Sequence, residues 1–262
     1  MRALYTAATG MAAQELNVQV ISNNIANLRT TGYKKQRAAF QDLIYDHVRR
    51  VGAQASDQGT ILPVGVDIGG GVKTVGTPRL MSQGTLSPTG NDLDIAVRGE
   101  GFFKIQMPDG TFTYTRDGTF TTDNTGRIVN SQGNPVQPTI TIPQNASGIT
   151  INAQGQLSVT LPGSTTPTTV GQIGLTRFIN KAGLQPVGNN LFQDTPSSGP
   201  PQDGIATLEG YGSINQGSLE TANVDVVSEM SNLIAAQRAY EMNAKVISAA
   251  DQMLQTTSAL FR

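Results

Sequence analysis

Apolar residues recur at alternating three- and four-residue steps at both ends of the chain. Leu4, Ala7, Met11, Gln14, Val18, Ile21, Ile25 and Leu28 form one stripe, apolar everywhere but Gln14. That spacing puts them on one side of an α-helix. It predicts a helix over residues 3–28, roughly 39 Å long at 1.5 Å per residue. Gly32 is placed to end it, because Gly accepts the left-handed conformation past a helix C-terminus. At the other end, Val226, Met230, Leu233, Gln237, Tyr240, Ala244, Ile247, Asp251, Leu254, Ser258 and Phe261 follow the same rule, broken only by Gln237, Asp251 and Ser258. A helix over 223–261 would be roughly 58 Å long. Such a length suggests a coiled coil or a packed bundle.

Between the stripes the pattern shortens and punctuation takes over. All 13 prolines lie between Pro63 and Pro201, and all but Gly10 and Gly32 of the 29 glycines lie between Gly52 and Gly217. Gly and Pro break helices and mark turns. Strand candidates are 94–97, 102–106, 111–115, 139–142, 149–152, 156–161 and 170–179. Turn signals at Pro108-Asp109-Gly110, Arg116-Asp117-Gly118, 123–126 and 131–134 separate them, a spacing typical of a meander or barrel. Asn130-Ser-Gln-Gly133 echoes Asn152-Ala-Gln-Gly155, and Ser82-Gln-Gly-Thr-Leu86 echoes Asn215-Gln-Gly-Ser-Leu219. Recurring turn chemistry accounts for both.

The expected fold is α+β: long N- and C-terminal helices paired as a coiled-coil-like domain, with a β-rich domain inserted between them. In residues, 1–32 is the N-terminal helix and 33–91 an extended connector. The β-rich outer domain is 92–185, the return connector 186–217 and the C-terminal helix 218–262.

Composition removes several functions. Lys plus Arg is 18 against 19 for Asp plus Glu, a net charge of -1. A near-neutral chain lacks the surplus cation of a nucleic-acid binder. There is no Cys and only one His, His47, so thiolate chemistry and a His-rich zinc site are excluded. No Gly-Lys pair supplies a P-loop, no Ser sits in a nucleophile elbow, and neither Gly69-Gly70-Gly71 nor Gly99-Glu100-Gly101 continues into a dinucleotide fingerprint. His47, in a mixed polar stretch, reads as solvated. Asp92 and Asp94, with Asp109 and Asp117, are the nearest thing to an acid–base pair. Asp109 and Asp117 each precede Gly, where Asp bonds its own backbone. Asp92-Leu93-Asp94 lacks the further oxygens of a calcium loop. No catalytic, cofactor-binding or metal residue is assigned. Apolar runs fall far below the about 20 residues of a membrane span, and no secretory signal is expected at the N-terminus.

The helices therefore carry the functional reading. Before Arg29 the only charges are Arg2 and Glu15, whereas a helix with a wet side normally shows a charged face. Ala, Thr, Asn, Gln and Ser fill the remaining faces, which suits close contact with several neighbours. Residues 1–50 carry seven cations and three anions, and residues 218–262 carry five anions and three cations. These opposite charges favour pairing, although exposed pairs contribute only about 0 to 1 kcal/mol each. The two stripes are the expected self-assembly interface between copies. Both ends are expected to order only on assembly, since an isolated helix gains little without a partner face. A repeated head-to-tail contact closes a ring or continues as a helical filament.

Three segments carry a resemblance. Ser22-Asn23-Asn24-Ile25-Ala26-Asn27-Leu28-Arg29-Thr30-Thr31-Gly32-Tyr33-Lys34 resembles the signature of the bacterial flagellar rod and hook axial proteins. Residues 210–225, ending Asn223-Val224-Asp225, resemble the lead into that family's C-terminal helix. Residues 92–103 resemble the start of its β domain. Asn23, Asn24, Asn27, Thr31, Gly32, Tyr33, Asn223 and Asp225 are the signature residues. Three Asn in five positions are costly inside a helix, so they are expected to bond backbone or other subunits.

The resemblance implies a structural subunit of the flagellar basal body without cofactor. Length points to the distal rod, a helical tube that spans the periplasm, transmits torque to the hook and encloses the export channel. Implied partners are copies of itself, other rod subunits, hook subunits, the surrounding P- and L-ring proteins and the type III export apparatus. Neither nucleic-acid binding nor membrane insertion is implied. The alternatives are the similar-sized subunit joining proximal and distal rod, or a periplasmic glycan-acting enzyme. The stretch 45–71 sits where the resemblance implies a rod-type insertion that stiffens the tube. Deleting most of it is expected to turn a straight rod into a bendable filament by electron microscopy; an unchanged straight rod refutes the stiffening role.

Overall fold

The computed structural model describes residues 2–52, 64–163 and 166–260. Helix α1 spans Arg2–Ala26 and helix α2 spans Val226–Leu260. Past α1, Thr30 N–H donates to Asn27 O at 3.1 Å and Gly32 takes φ +66°. Helix α2 starts at the first residue of its apolar stripe, later than the expected residue 223, because Asp225 caps it: Oδ2 accepts from Ser228 N–H at 3.2 Å and Ser228 Oγ at 2.5 Å. Phe261 lies outside the described residues.

The chain divides into two compact units, one of residues 1–25, 36–78 and 225–262 and one of residues 26–35 and 79–224. The first holds both helices and two antiparallel ribbons. Ala39–Asp42 pairs with Val72–Gly76, and Tyr45–Arg49 with Val66–Gly69. Asn24 Nδ2 donates to Glu229 Oε2 at 3.1 Å. A Cβ on Gly10 would stand 2.9 Å from Asn243 Nδ2. These two meetings are 14 residues apart on each helix and in opposite order, so the helices run antiparallel. Both ends are thus helical in the single chain, contrary to the expectation that they order only on assembly. Each helix has a first partner in the other. Glu229, Ala236 and Ala250 are buried on α2, with Leu233, Asn243 and Ile247 half-buried on the same side. Beyond Ala250, residues 251–259 are all exposed.

The second unit is antiparallel β throughout. Its largest sheet runs Val136–Gln137, Phe103–Gln106, Phe112–Thr115, Leu191–Gln193, Gln185–Gly188 in spatial order. Gly148–Ile151, Gln156–Thr160 and Thr168–Gln172 form a three-stranded sheet. Ile95–Arg98 pairs with Ser213–Gln216, and Leu86–Pro88 with Ser218–Glu220. Ile95, Val97, Phe103, Ile105, Phe120, Leu157 and Leu175 lie in one core. A smaller cluster joins Phe102, Tyr114, Phe178, Leu184 and Phe192.

Three sequence expectations change here. Residues 186–217, expected to connect, supply strands to these sheets. Residues 139–142 make only a bridge from Thr141 to Arg127, because Pro138 and Pro143 flank them and Pro lacks a ladder donor. The run 170–179 splits into Thr168–Gln172 and Gly174–Arg177, with Ile173 N–H donating to Gly155 O at 2.8 Å.

Turn chemistry follows the sequence closely. Oδ1 of Asp109, Asp117 and Asp123 each accepts the N–H and hydroxyl of the Thr two residues on. Asn130 and Asn152 bond backbone two and four residues on in the same way, so their echo is one turn used twice. In the second echo the two segments lead into paired strands, with Leu86 opposite Glu220.

The hydroxyls of Thr111 and Thr125, above all, hold the carboxyls of Asp109 and Asp123 below their ordinary 3.8. The native state therefore gives up these protons before the unfolded chain does. Its stabilisation is present above the ordinary value and is lost as pH falls below that value through the lowered native one. Combining Asp109→Asn with Asp123→Asn is expected to flatten the fall in Tm below about pH 4. Parallel Tm curves for variant and parent exclude that contribution.

Candidate assembly interface

The N-terminal stripe faces inward. Ala7 and Ile21 are buried, and Leu4, Met11, Val18, Ile25 and Leu28 are half-buried. The C-terminal stripe divides. Leu233, Ala244 and Ile247 are half-buried, whereas Val226, Met230, Tyr240 and Leu254 are exposed. A second row on α2 escaped the sequence reading. Ala235, Ala239, Met242, Val246, Ala249 and Met253 step by four and three, and all but the half-buried Ala239 are exposed. One heptad frame had been followed, and this row lies in another along the same sequence. It forms a continuous apolar flank beside the face that meets α1.

The ribbons of the same unit are also uncovered. Ile44, Val48, Val66, Ile68 and Val75 are exposed, Ile44 at 90%. Two-stranded ribbons are marginal by themselves in water. Of the stretch 45–71, residues 53–63 lie outside the described ones. His47, half exposed, places Nδ1 2.6 Å from Asp67 Oδ1, and Arg2 pairs with Asp46.

The signature residues build two polar nodes, one in each unit. In the helical unit, Asn24 is 1% exposed. Its Nδ2 donates to Gln36 O at 2.8 Å as well as to Glu229, and its Oδ1 accepts from Gln36 N–H at 2.9 Å. One amide thus joins the end of α1, the returning chain and the first turn of α2. This is why Asn stands where a helix former would otherwise be favoured. Asn23 lies on the exposed side of α1.

In the β unit, Gly32 N–H donates to Glu220 O at 2.8 Å. A Cβ on Gly32 would lie 2.6 Å from Asp117 N, so both φ and space demand Gly. Asn190 donates to Thr31 O at 3.0 Å, and Thr30 Oγ1 to Asn27 Oδ1 at 3.2 Å. Tyr33 is buried beneath the Arg79 guanidinium, 5.9 Å from its ring centroid. Lys34 Nζ pairs with Glu220 Oε1 at 2.6 Å, and Arg116 Nη1 approaches Oε2 at 3.4 Å. Lys34, Glu220 and Arg116 are 1%, 0% and 4% exposed. Gly84 N–H also donates to Glu220 Oε1, and Ser82 O accepts from Lys34. Burial, more than the nearby carboxylate can offset, pulls the Lys34 ammonium below its ordinary value. Asn223 Oδ1 accepts from Lys35 N–H at 2.7 Å, and its Nδ2 donates to Leu80 O, Ser82 O and Ser82 Oγ. Periodicity could flag the Asn residues but not Glu220 or Arg116, whose partners are distant in sequence.

Three of the four candidate carboxylates hold turns together, whereas Asp92 is exposed. Thr89 and Asn91 donate to the two oxygens of Asp94, and Asp109 and Asp117 bond their own Thr. Among the described residues, no helix is long and apolar enough to cross a membrane.

Helical ends from opposite termini of one chain, a β-rich body between them and bonded polar nodes at the junctions define a structural α+β protein. Residues 4–34 match the family described as flagella basal body rod protein. Residues 96–159 match the flagellar hook protein FlgE/F/G D1 domain, and residues 215–260 the flagellar basal body rod FlgEFG protein C-terminal region. The chain is 53% identical over 260 residues to the flagellar basal-body rod protein FlgG of Caulobacter vibrioides, covering 99% of each. It is 46% identical over 264 residues to that of Borreliella burgdorferi, covering 100% of this chain and 99% of the other. To the flagellar basal-body rod protein FlgF of Caulobacter vibrioides it is 33% identical over 249 residues, covering 94% and 91%. The chain belongs to the flagellar basal-body rod protein family, whose members are structural subunits of the flagellar basal body.

The buried charges are two cations around one carboxylate. Glu220→Gln leaves both cations uncompensated and is expected to cost about 3 to 5 kcal/mol in urea unfolding. Lys34→Met leaves Arg116 and Glu220 one to one and should cost only about 1 to 2 kcal/mol. Equal losses would show that charge balance does not govern this node.

Proposed function

We propose that the chain is a subunit of the distal rod, assembling with copies of itself into a helical tube. The tube spans the periplasm, carries torque from motor to hook and encloses the export channel. The observation that carries this reading is the apolar flank of α2, with the uncovered turns at 251–259. Apolar burial contributes about 25 cal/mol per Å², so a continuous flank of this kind favours association. The antiparallel helices make a coiled-coil-like domain. The exposed α2 residues Val226, Met230, Tyr240 and Leu254 are assembly contacts. The covered stripe on α1 stiffens the domain that presents them.

Within one organism, Caulobacter vibrioides, identity to FlgG is 53% and to FlgF 33%. That difference favours the distal rod over the subunit joining proximal and distal parts. Other rod and hook subunits and the P- and L-ring proteins are the neighbours this position implies. Delivery is through the type III export apparatus. A glycan-acting enzyme is the weaker reading, because Asp94, Asp109 and Asp117 are engaged in turns. The exposed ribbon of Tyr45–Arg49 and Val66–Gly69 gives the rod-type insertion at about 45–71 its contacts to neighbouring copies.

Val246→Glu combined with Leu254→Glu is expected to abolish sedimentable filaments while leaving the helical circular dichroism of the monomer unchanged. Filaments at the parent concentration would overturn the reading.

A further inference from the structure

The chain has 7 methionines and no cysteine, so thioethers are its only oxidisable sulfur. Their placement is uneven. Met230, Met242 and Met253 all lie on α2 and are 54, 60 and 63% exposed. Met11, Met81 and Met107 are half-buried. Met81 packs on the Phe102 cluster, and Met107 packs on the main core, where Asn134 Nδ2 stands 3.5 Å from its sulfur. Met242 and Met253 sit on the apolar flank with Val246, and Met253 lies on the turns that outrun α1.

From this geometry we infer that α2 carries a methionine oxidation site at Met242 and Met253, with Met230 as a lesser member, which blocks assembly when modified. The oxidant is a peroxide. The thioether sulfur attacks one peroxide oxygen, the O–O bond breaks and an S–O bond forms. Sulfur is oxidised by two electrons, and the peroxide is reduced to water. The product is a polar, chiral sulfoxide in place of a flexible apolar side chain. The inference rests on the proposed self-assembly, with a second copy of this chain covering the flank. The net negative charge of 218–262 against the net positive charge of 1–50 favours that occupant. Once covered, the same sulfurs are shielded, so the assembled protein resists what the free subunit does not.

The test uses the purified full chain and hydrogen peroxide, with peptide mass spectrometry reading each sulfoxide. Met242 and Met253 are expected to oxidise well before Met11, Met81 and Met107 in the monomer and to be protected in filaments. The oxidised chain should need at least about tenfold more protein to assemble, since each lost thioether burial is worth about that factor. Methionine sulfoxide reductases should restore the parent value. Met242→Leu with Met253→Leu should assemble normally and become peroxide-resistant. Oxidation of Met107 as fast as Met253, or unimpaired assembly of the oxidised chain, overturns the site. Failure of the unoxidised chain to assemble overturns the self-assembly reading instead; the monomer oxidation order is read independently of it.

Discussion

A helix of 35 residues set against one of 25 cannot be fully covered. This mismatch is the constraint from which the rest follows. The antiparallel contacts fix the register, with Asn24 at Glu229 and Gly10 at Asn243. In that register the start of α1 falls level with Ala250, and α2 continues past it. The covered side is built from small and polar residues, Ala236, Asn243 and Ala250 among them. Much of the larger apolar content, Met230, Ile234, Met242, Val246 and Met253, points elsewhere. A helix that keeps so many large apolar residues outside the pairing with its own chain is shaped for association.

The polar nodes serve the same arrangement from within. Asn24 replaces backbone partners that the chain loses on turning out of α1. Asn223 does the same before α2, and Glu220 binds both cations near Gly32. Each node satisfies groups that would be expensive to leave unbonded when buried. Because every partner comes from a different segment, the nodes fix where the terminal segments leave their turns. Packing alone would leave that geometry loose.

Much of this was legible in the sequence. Heptad spacing gave both helices to within a few residues, and the Asp-Gly signals and the Asn-x-Gln-Gly echo gave the turns, because both kinds of signal are local. The ribbons of 39–76 were not legible: Asp, His, Lys and Gly interrupt their apolar residues, and neither face is buried to impose alternation. Glu220 was invisible for a different reason. It is one carboxylate in a polar stretch, and its meaning depends on Lys34, 186 residues away. The second apolar row of α2 was not legible because the helix is apolar in more than one frame, and periodicity alone does not choose between frames.

The pairing of Leu86–Pro88 with Ser218–Glu220 has a temporal side. Contacts that close so large a loop cost chain entropy before they return any energy. A polypeptide supplied gradually from its beginning cannot complete the β body until roughly the first five-sixths has arrived. Until then the Gly32 turn lacks its acceptor and Lys34 its counter-ion. Premature consolidation is therefore discouraged by topology itself, and the subunit matures only when its tail is at hand.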